Sequence, residues 1–362
     1  MLGQLTVPKN LCLLRLSAIG DVCHAVALVQ HIQQHWPQTH ITWVVGKVEA
    51  QLLVGLPNVE LVIFDKNAGW RGYWALWRAM RGRKFDVLLH MQVALRASLA
   101  SLCISATTKM GFDKQRAKEA QGLFCNKRIA AQQHPHVLDG FMGFAHALGL
   151  PIESPHWHMP LSDEVQLWAS EQFVTDSHDD RPTIAPAIAI ICPSASKKER
   201  SWHAQGYASI ADSLTQKGFT VVICGGNRSI EHQLAQAIIG LCRHPVHNYV
   251  GQTSLPQLLA LLNIAHLVLA PDTGPLHMAV TVNTPVVGLY AHSNPHRTGP
   301  YTFQHYVVSC YPEMITAQYH KSVAKLPWGI RAKGEQLMDN ISVAQVEDKI
   351  RQLIEDHYPE LV

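Results

Sequence analysis

The chain of 362 residues predicts an α/β protein of two Rossmann-like, doubly wound domains facing each other across a cleft. Three observations carry that prediction. Its short apolar runs are continuous rather than alternating, the pattern of parallel strands covered on both faces. Helical segments separate these runs in both halves of the chain. A stretch holding Pro151, Pro155, Pro160, Pro182 and Pro186 divides the two series. The expected domains are residues 1–180, which include this connection, and residues 181–340. A final helix within 341–362 is expected to pack back on the first domain.

The elements follow in order. Residues 11–16 read as a strand and 21–36 as a helix halted by Pro37. Residues 41–45 and 61–64 read as strands, 70–83 as a helix and 85–91 as a strand. Residues 112–136 lack a clear period and are rich in Lys, Arg, Gln and His, so a mobile loop with one short helical piece is expected. A helix follows over 137–148. Another, near 164–174, interrupts the connection before the acidic run Asp176-Ser-His-Asp-Asp180. The second series reads as strand 187–192, helix 204–217, strand 220–224, helix 229–241, short helix 255–262, strand 266–270, strand 285–290 and helix 343–357.

Composition narrows the class. Hydrophobic residues make up 47% and charged residues 16%, which describes a globular chain with a large core and excludes a disordered one. The net charge of +3 conceals an asymmetry. Residues 1–150 hold 16 Lys/Arg against 8 Asp/Glu, and residues 151–362 hold 14 against 19. An anionic partner is therefore expected to meet the first half. The eight cysteines form no Cys-x-x-Cys pair, and several lie in apolar runs, as reduced thiols of a cytosolic protein would. No signal peptide is read at the start, and no apolar run reaches the roughly 18 residues that span a bilayer. Membrane contact is expected to be peripheral. The 22 histidines show no His-Glu-x-x-His and no clustered Cys/His spacing, and Asp-x-Asp is absent, so no metal is expected.

The most informative stretch is Pro271-Asp272-Thr273-Gly274-Pro275-Leu276-His277, directly after the 266–270 strand. A strand that breaks at a glycine and opens a helix aims backbone N–H groups beyond the sheet, which makes an anion site. Pro275 suits the first helical turn, where a missing N–H costs nothing. Thr273 adds a hydroxyl and His277 a ring. Asp272 would repel phosphate and suits sugar hydroxyls beside it, so the set suggests a sugar nucleotide. The same residues also make a turn and helix cap that needs no ligand. After strand 187–192, Lys197, Lys198 and Arg200 precede Trp202. Cations there would stabilise charge growing on a diphosphate leaving group, or simply form a solvated loop. Glu231 follows the glycine turn at Gly225-Gly226 and reads either as a ribose acceptor or as a surface glutamate. After the first strand comes Arg15-Leu16-Ser17-Ala18-Ile19-Gly20-Asp21-Val22-Cys23-His24, without the Gly-x-Gly-x-x-Gly of a dinucleotide site. Asp21 there is either a first-turn acid complementing the helix dipole or a general base.

Taken together and in this order, Ser17-x-x-Gly20-Asp21-Val-x-His24, the basic loop ending at Trp202, and Asp272-Thr-Gly-x-x-His277 resemble one family. It is the ADP-heptose:lipopolysaccharide heptosyltransferases of glycosyltransferase family nine, over about residues 11–300. Residues 111–128 look most like the heptosyltransferase I group. The resemblance implies a GT-B fold and metal-independent, inverting transfer of heptose from ADP-heptose to a Kdo sugar of the lipid A-Kdo acceptor. It implies Asp21 as general base, with Ser17, Gly20 and His24 beside the acceptor. Arg116 and Lys118 would meet the acceptor's anionic groups. Asp272, Thr273, Gly274, Pro275 and His277 would hold the diphosphate and heptose, with Lys197 and Lys198. Glu231 would hold the adenosine ribose. Arg200 stands where the family commonly has Lys, and the two are not equivalent in phosphate binding. A cytoplasmic monomer, peripheral at the inner membrane and without a nucleic-acid partner or cofactor, is expected. Two other readings start from the same residues: a sugar-nucleotide epimerase of this fold, and a nucleotide-binding protein without catalysis.

Overall fold

A computed structural model describes residues 7–173 and 187–361. The acidic run 176–180, Pro182 and Pro186 lie outside the described residues. The chain forms two compact units, Met1–Pro160 and Leu161–Val362.

In the first unit the order is β1 (Asn10–Leu14), α1 (Ile19–His35), β2 (His40–Gly46), β3 (Val59–Phe64), α2 (Trp70–Met80), β4 (Phe85–His90), α3 (Leu95–Ala100), β5 (Ala106–Gly111), β6 (Lys127–Arg128) and α4 (Val137–Leu148). The strands pair in parallel in the order β3-β2-β1-β4-β5-β6. Central β1 is apolar because both its faces are covered: Leu11, Cys12, Leu13 and Leu14 are all fully buried. On one face Leu14, Val44 and Leu88 pack with Phe64, Leu76 and Met80.

In the second unit the order is α5 (Asp163–Glu171), β7 (Ala187–Ile191), α6 (Ala204–Gln216), β8 (Phe219–Ile223), α7 (Ser229–Leu241), β9 (His247–Asn248), α8 (Leu255–Ile264), β10 (Leu267–Pro271), α9 (Gly274–Thr281), β11 (Val286–Tyr290), α10 (Pro295–Thr298), β12 (Val308–Ser309), α11 (Tyr311–Tyr319) and α12 (Val343–His357). The parallel sheet runs β12-β11-β10-β7-β8-β9. With β7 counted as the first strand, this is the same 3-2-1-4-5-6 order as in the first unit. Each sheet therefore reverses its strand order once, between β1 and β4 and between β7 and β10. Chains leave such a reversal in opposite directions, so the loops beyond the strands part and leave a crevice.

Two expectations about organisation differ from the structure. The helix expected within the connection, α5, packs against α8 of the second unit. The last helix, expected on the first domain, packs against α6, β11 and β12 of the second. Its apolar stripe of Val346, Ile350, Leu353 and Ile354 is buried there, and a Ser342–Gln345 capping box starts it. Residues 112–136 are not a free loop. Gln121 is buried, and its amide nitrogen donates to the carbonyls of His90 (2.9 Å) and Gln92 (3.2 Å), which fastens the segment to the end of β4.

Candidate active site

At the reversal of the first sheet, β1 leads into α1 through residues 15–18, and β4 ends beside it. Gln92 links the two loops, accepting from Leu16 N (2.8 Å) and donating to Ser17 Oγ (3.3 Å). Arg15 donates to the Met91 carbonyl and to Asp21 Oδ2, and lies over the Phe141 ring at 5.2 Å. Asp21 is in the first turn of α1. Its Oδ2 also accepts from Ala18 N at 3.3 Å, which satisfies an N–H that the helix leaves open. The Asp21 side chain remains 29% exposed. Of the companions expected there, Gly20 is buried in α1 and His24 is buried with its ring edge-on to His136, at the N-cap of α4. His24 therefore faces protein.

Arg116 and Lys118 differ in the same way. Arg116 pairs with Asp113 (Nε to Oδ2, 2.6 Å), donates to Gln132 and covers the Phe112 ring at 4.7 Å. Burial would raise the Asp113 pKa, but hydrogen bonds from Arg116, its charge and two backbone N–H groups bring it below the usual value. Lys118 is exposed.

At the reversal of the second sheet, the loops after β7 and β10 meet. Trp202 anchors the first of them. It is fully buried, its indole N–H donates to the Ile341 carbonyl at 3.0 Å, and its ring lies against Gly206. A Cβ at Gly206 would stand 2.5 Å from the ring, so only glycine permits this approach. The anchored loop brings Arg200 to Asp272: Nη1 is 3.3 Å from Oδ2 and 3.3 Å from the backbone carbonyl. Asp272 is buried and also accepts from Ser293 Oγ. Thr273 is the N-cap of α9, yet its hydroxyl donates to Ser194 O (3.3 Å) and makes no cap bond. The first amides of α9 thus have no side-chain cap, which leaves them for an anion. Gly274 opens the helix, Pro275 occupies its first turn, and His277 is buried one turn in. Lys197 and Lys198 are exposed beside Arg200. Glu231 is buried and held by Arg228 at 2.6 Å, next to Gly226, where a Cβ would meet the carboxylate at 2.8 Å.

The structure adds residues that sequence reasoning passed over. Arg15 orients Asp21. In the loop after β11, Ser293 bonds Asp272, and His292 is buried with both ring nitrogens lacking a hydrogen-bond partner among the described residues. Burial, then the charges of Arg200, Arg331 and Lys197, pulls the His292 pKa down. Arg331 is lowered too, by burial and by Arg200 and Arg297. Mutual repulsion of this kind marks a strongly positive surround for a negative ligand. The only sequence signal for it was the placement of His292 and Ser293 directly beyond an apolar strand.

Comparisons with known proteins give the family. A family model described as glycosyltransferase family 9 (heptosyltransferase) matches residues 73–326. The chain belongs to glycosyltransferase family 9. The lipopolysaccharide core heptosyltransferase OpsX of Haemophilus influenzae is 44% identical over 346 residues, covering 96% of this chain and 97% of that one. Lipopolysaccharide heptosyltransferase 1 of Escherichia coli K12 is 23% identical, over 80% of this chain and 90% of its own. Among solved structures, a family 9 glycosyl transferase from Veillonella parvula superposes with a TM-score of 0.77 at 22% identity, covering 96% of this chain and 97% of its own. E. coli ADP-heptose lps heptosyltransferase II gives 0.70 at 19%, covering 96% and 99%. These likenesses establish the fold class expected from the sequence. Membership in the family makes this chain a glycosyltransferase, in place of the epimerase and non-catalytic readings.

Proposed function

We propose that this glycosyltransferase moves heptose from ADP-heptose to a Kdo sugar of a lipid A-Kdo acceptor in lipopolysaccharide core synthesis, with inversion at the anomeric carbon. The observation that carries the reading is the second-unit crevice: uncapped α9 amides, Arg200 and a hydrogen-bonded Asp272 at the strand-order reversal. Amides and guanidinium there receive the diphosphate. Asp272, its carboxylate fixed by Ser293, accepts from a sugar hydroxyl. Arg200, with Lys197 and Lys198 at the mouth, stabilises charge as the ADP leaves, so a divalent ion is not required. Glu231 accepts from the ribose. In the first unit, Asp21 takes the proton of the acceptor hydroxyl as its oxygen attacks. Both bonds to Asp21 fall on Oδ2, so among the described residues Oδ1 is left for that proton. Lys118 and Arg116 attract the acceptor's anionic groups.

A lipid-borne acceptor is supported by α2. Trp70, Trp74 and Trp77 lie on one helix face, 73%, 52% and 47% exposed. Arg71, Arg78 and Arg81 stack on them at 5.9, 5.7 and 5.5 Å. Aromatic rings with attached cations suit the boundary of an anionic bilayer. We take the enzyme to dock peripherally through this face, as a monomer at the cytoplasmic side; no helix among the described residues is long and apolar enough to cross a membrane. Incubation with ADP-heptose and defined Kdo-lipid A acceptors, followed by product mass, tests the proposal. The expected product carries one added heptose. Donor turnover that is indifferent to the acceptor would refute it.

A further inference from the structure

Away from these crevices, three side chains converge at the end of α1. His31 and His35 lie one turn apart on one helix face, their ring centroids 4.6 Å apart. Glu153, in the segment after α4, faces both: Oε2 is 3.7 Å from His31 Nδ1, and Oε1 is 3.4 Å from His35 Nε2. The remaining ring nitrogens are engaged by carbonyls. His31 Nε2 is 3.0 Å from Pro151 O, and His35 Nδ1 is 3.0 Å from His31 O. A carbonyl oxygen only accepts, so His31 Nε2 and His35 Nδ1 carry the protons. In the neutral rings, His31 Nδ1 and His35 Nε2 then present lone pairs to a carboxylate. Three electron-pair donors, with ligand atoms all within 4.8 Å of one another, are held together by a cation among them or by a proton on a facing ring nitrogen.

We propose that His31, His35 and Glu153 form a binding site for a divalent transition ion of the zinc type. Imidazole N–H groups anchored on carbonyls, with the other nitrogens converging, are how metal-binding histidines are oriented. The spacing agrees as well. Ligands about 2.0–2.1 Å from a tetrahedral ion stand about 3.3–3.4 Å apart; here Oε1 is 3.4 Å from His35 and Oε2 3.7 Å from His31, and one ligand atom from each residue lies within 4.8 Å of the others, so an ion would draw the three slightly together. The donor set, two imidazoles and a carboxylate, suits zinc over calcium or magnesium. His35 closes α1, whose C-terminal dipole favours a cation. His31 is buried while Glu153 is 42% exposed, so solvent completes the coordination from one side. The ion would tie the end of α1 to the segment after α4. Ten residues separate His31 from Asp21, about 15 Å of helix, so the site is structural and takes no part in sugar transfer. It stands independently of the proposed reaction.

The test starts from full-length protein stripped by chelator and titrated with Zn²⁺ by calorimetry, and with Co²⁺ by visible absorption. One Zn²⁺ per chain, a raised Tm and the intense visible band of low-coordinate Co²⁺ are expected. His35→Gln and Glu153→Gln should each weaken binding at least about tenfold, with circular dichroism and ADP affinity unchanged. If one variant misfolds, the other and the wild-type titration still decide. No saturable binding, or binding that survives both substitutions, would overturn the site, and the cluster would then be an ion pair of Glu153 with protonated histidine.

Discussion

Each unit places an arginine–aspartate pair at its strand-order reversal, and the two pairs differ in exposure. The Asp21 side chain is 29% exposed, against 9% for Asp272. Asp21 is bound by Arg15 and one backbone N–H, both on a single oxygen. Asp272 is bound by Arg200 and Ser293, likewise on its Oδ2, so the difference between the two lies in burial. In the proposed reaction the same two residue types serve different chemistry. A carboxylate open to solvent on one oxygen can take a proton from an incoming alcohol. An enclosed one is a fixed acceptor that orients a ligand. Their arginines differ too: Arg15 is tied to the Met91 carbonyl and Phe141, whereas Arg200 sits among Arg297, Arg331 and Lys197, where a diphosphate would relieve the repulsion.

The sharpest way to break this contrast is Asp21→Ala. We expect kcat to fall about 10²–10⁴-fold with ADP affinity near wild type by calorimetry; loss of ADP binding would assign Asp21 to the donor. Next is Arg200→Ala, expected to lower kcat about 10²–10³-fold. Arg200→Lys should recover most of that if charge is what matters, and little if paired hydrogen bonds matter. Lys118→Ala should raise the acceptor KM several-fold and leave the donor KM unchanged. Arg116→Ala should do the same and also lower Tm, because its guanidinium holds Asp113 and Gln132.

A smaller effect comes from beneath the first pair. His90 ends β4 and is fully buried, with Nε2 3.0 Å from Ser98 Oγ. Burial, with the charges of Lys109 and Arg15, lowers its pKa to about 4. An unfolded imidazole titrates near 6.5, so between these values the unfolded chain binds the extra proton. Stability is full above about pH 6.5 and falls as pH drops toward about 4, by about 1.4 kcal/mol per unit at most. His90→Gln should flatten that slope in denaturant titrations. The smallest expected effect is that of chelator on initial transfer rate, which should be nearly nil.

Much of this was legible in the sequence because β1, β7, β10 and β11, and β4 beyond Asp86, are covered on both faces and so carry unbroken apolar runs. The helices 137–148, 229–241 and 343–357 were read to the residue, since their periodicity is clear and the first and last also carry side-chain caps, His136 and Ser342. Strand β5, Ala-Thr-Thr-Lys-Met-Gly, escaped because it is only partly buried, and β6, β9 and β12 because two paired residues leave no period. At the sites, motif residues adjacent in sequence were readable. Arg15, Ser293 and Arg331 were not, since their importance comes from strand neighbours that only folding brings together.

The two aspartates divide the labour in the proposed reaction, and one paired measurement addresses that division: single-turnover transfer and ADP-heptose binding for Asp21→Asn and Asp272→Asn. We predict that Asp21→Asn binds donor like wild type and scarcely turns over, while Asp272→Asn binds donor more weakly. Weakened donor binding in Asp21→Asn, with Asp272→Asn unaffected, would contradict the account.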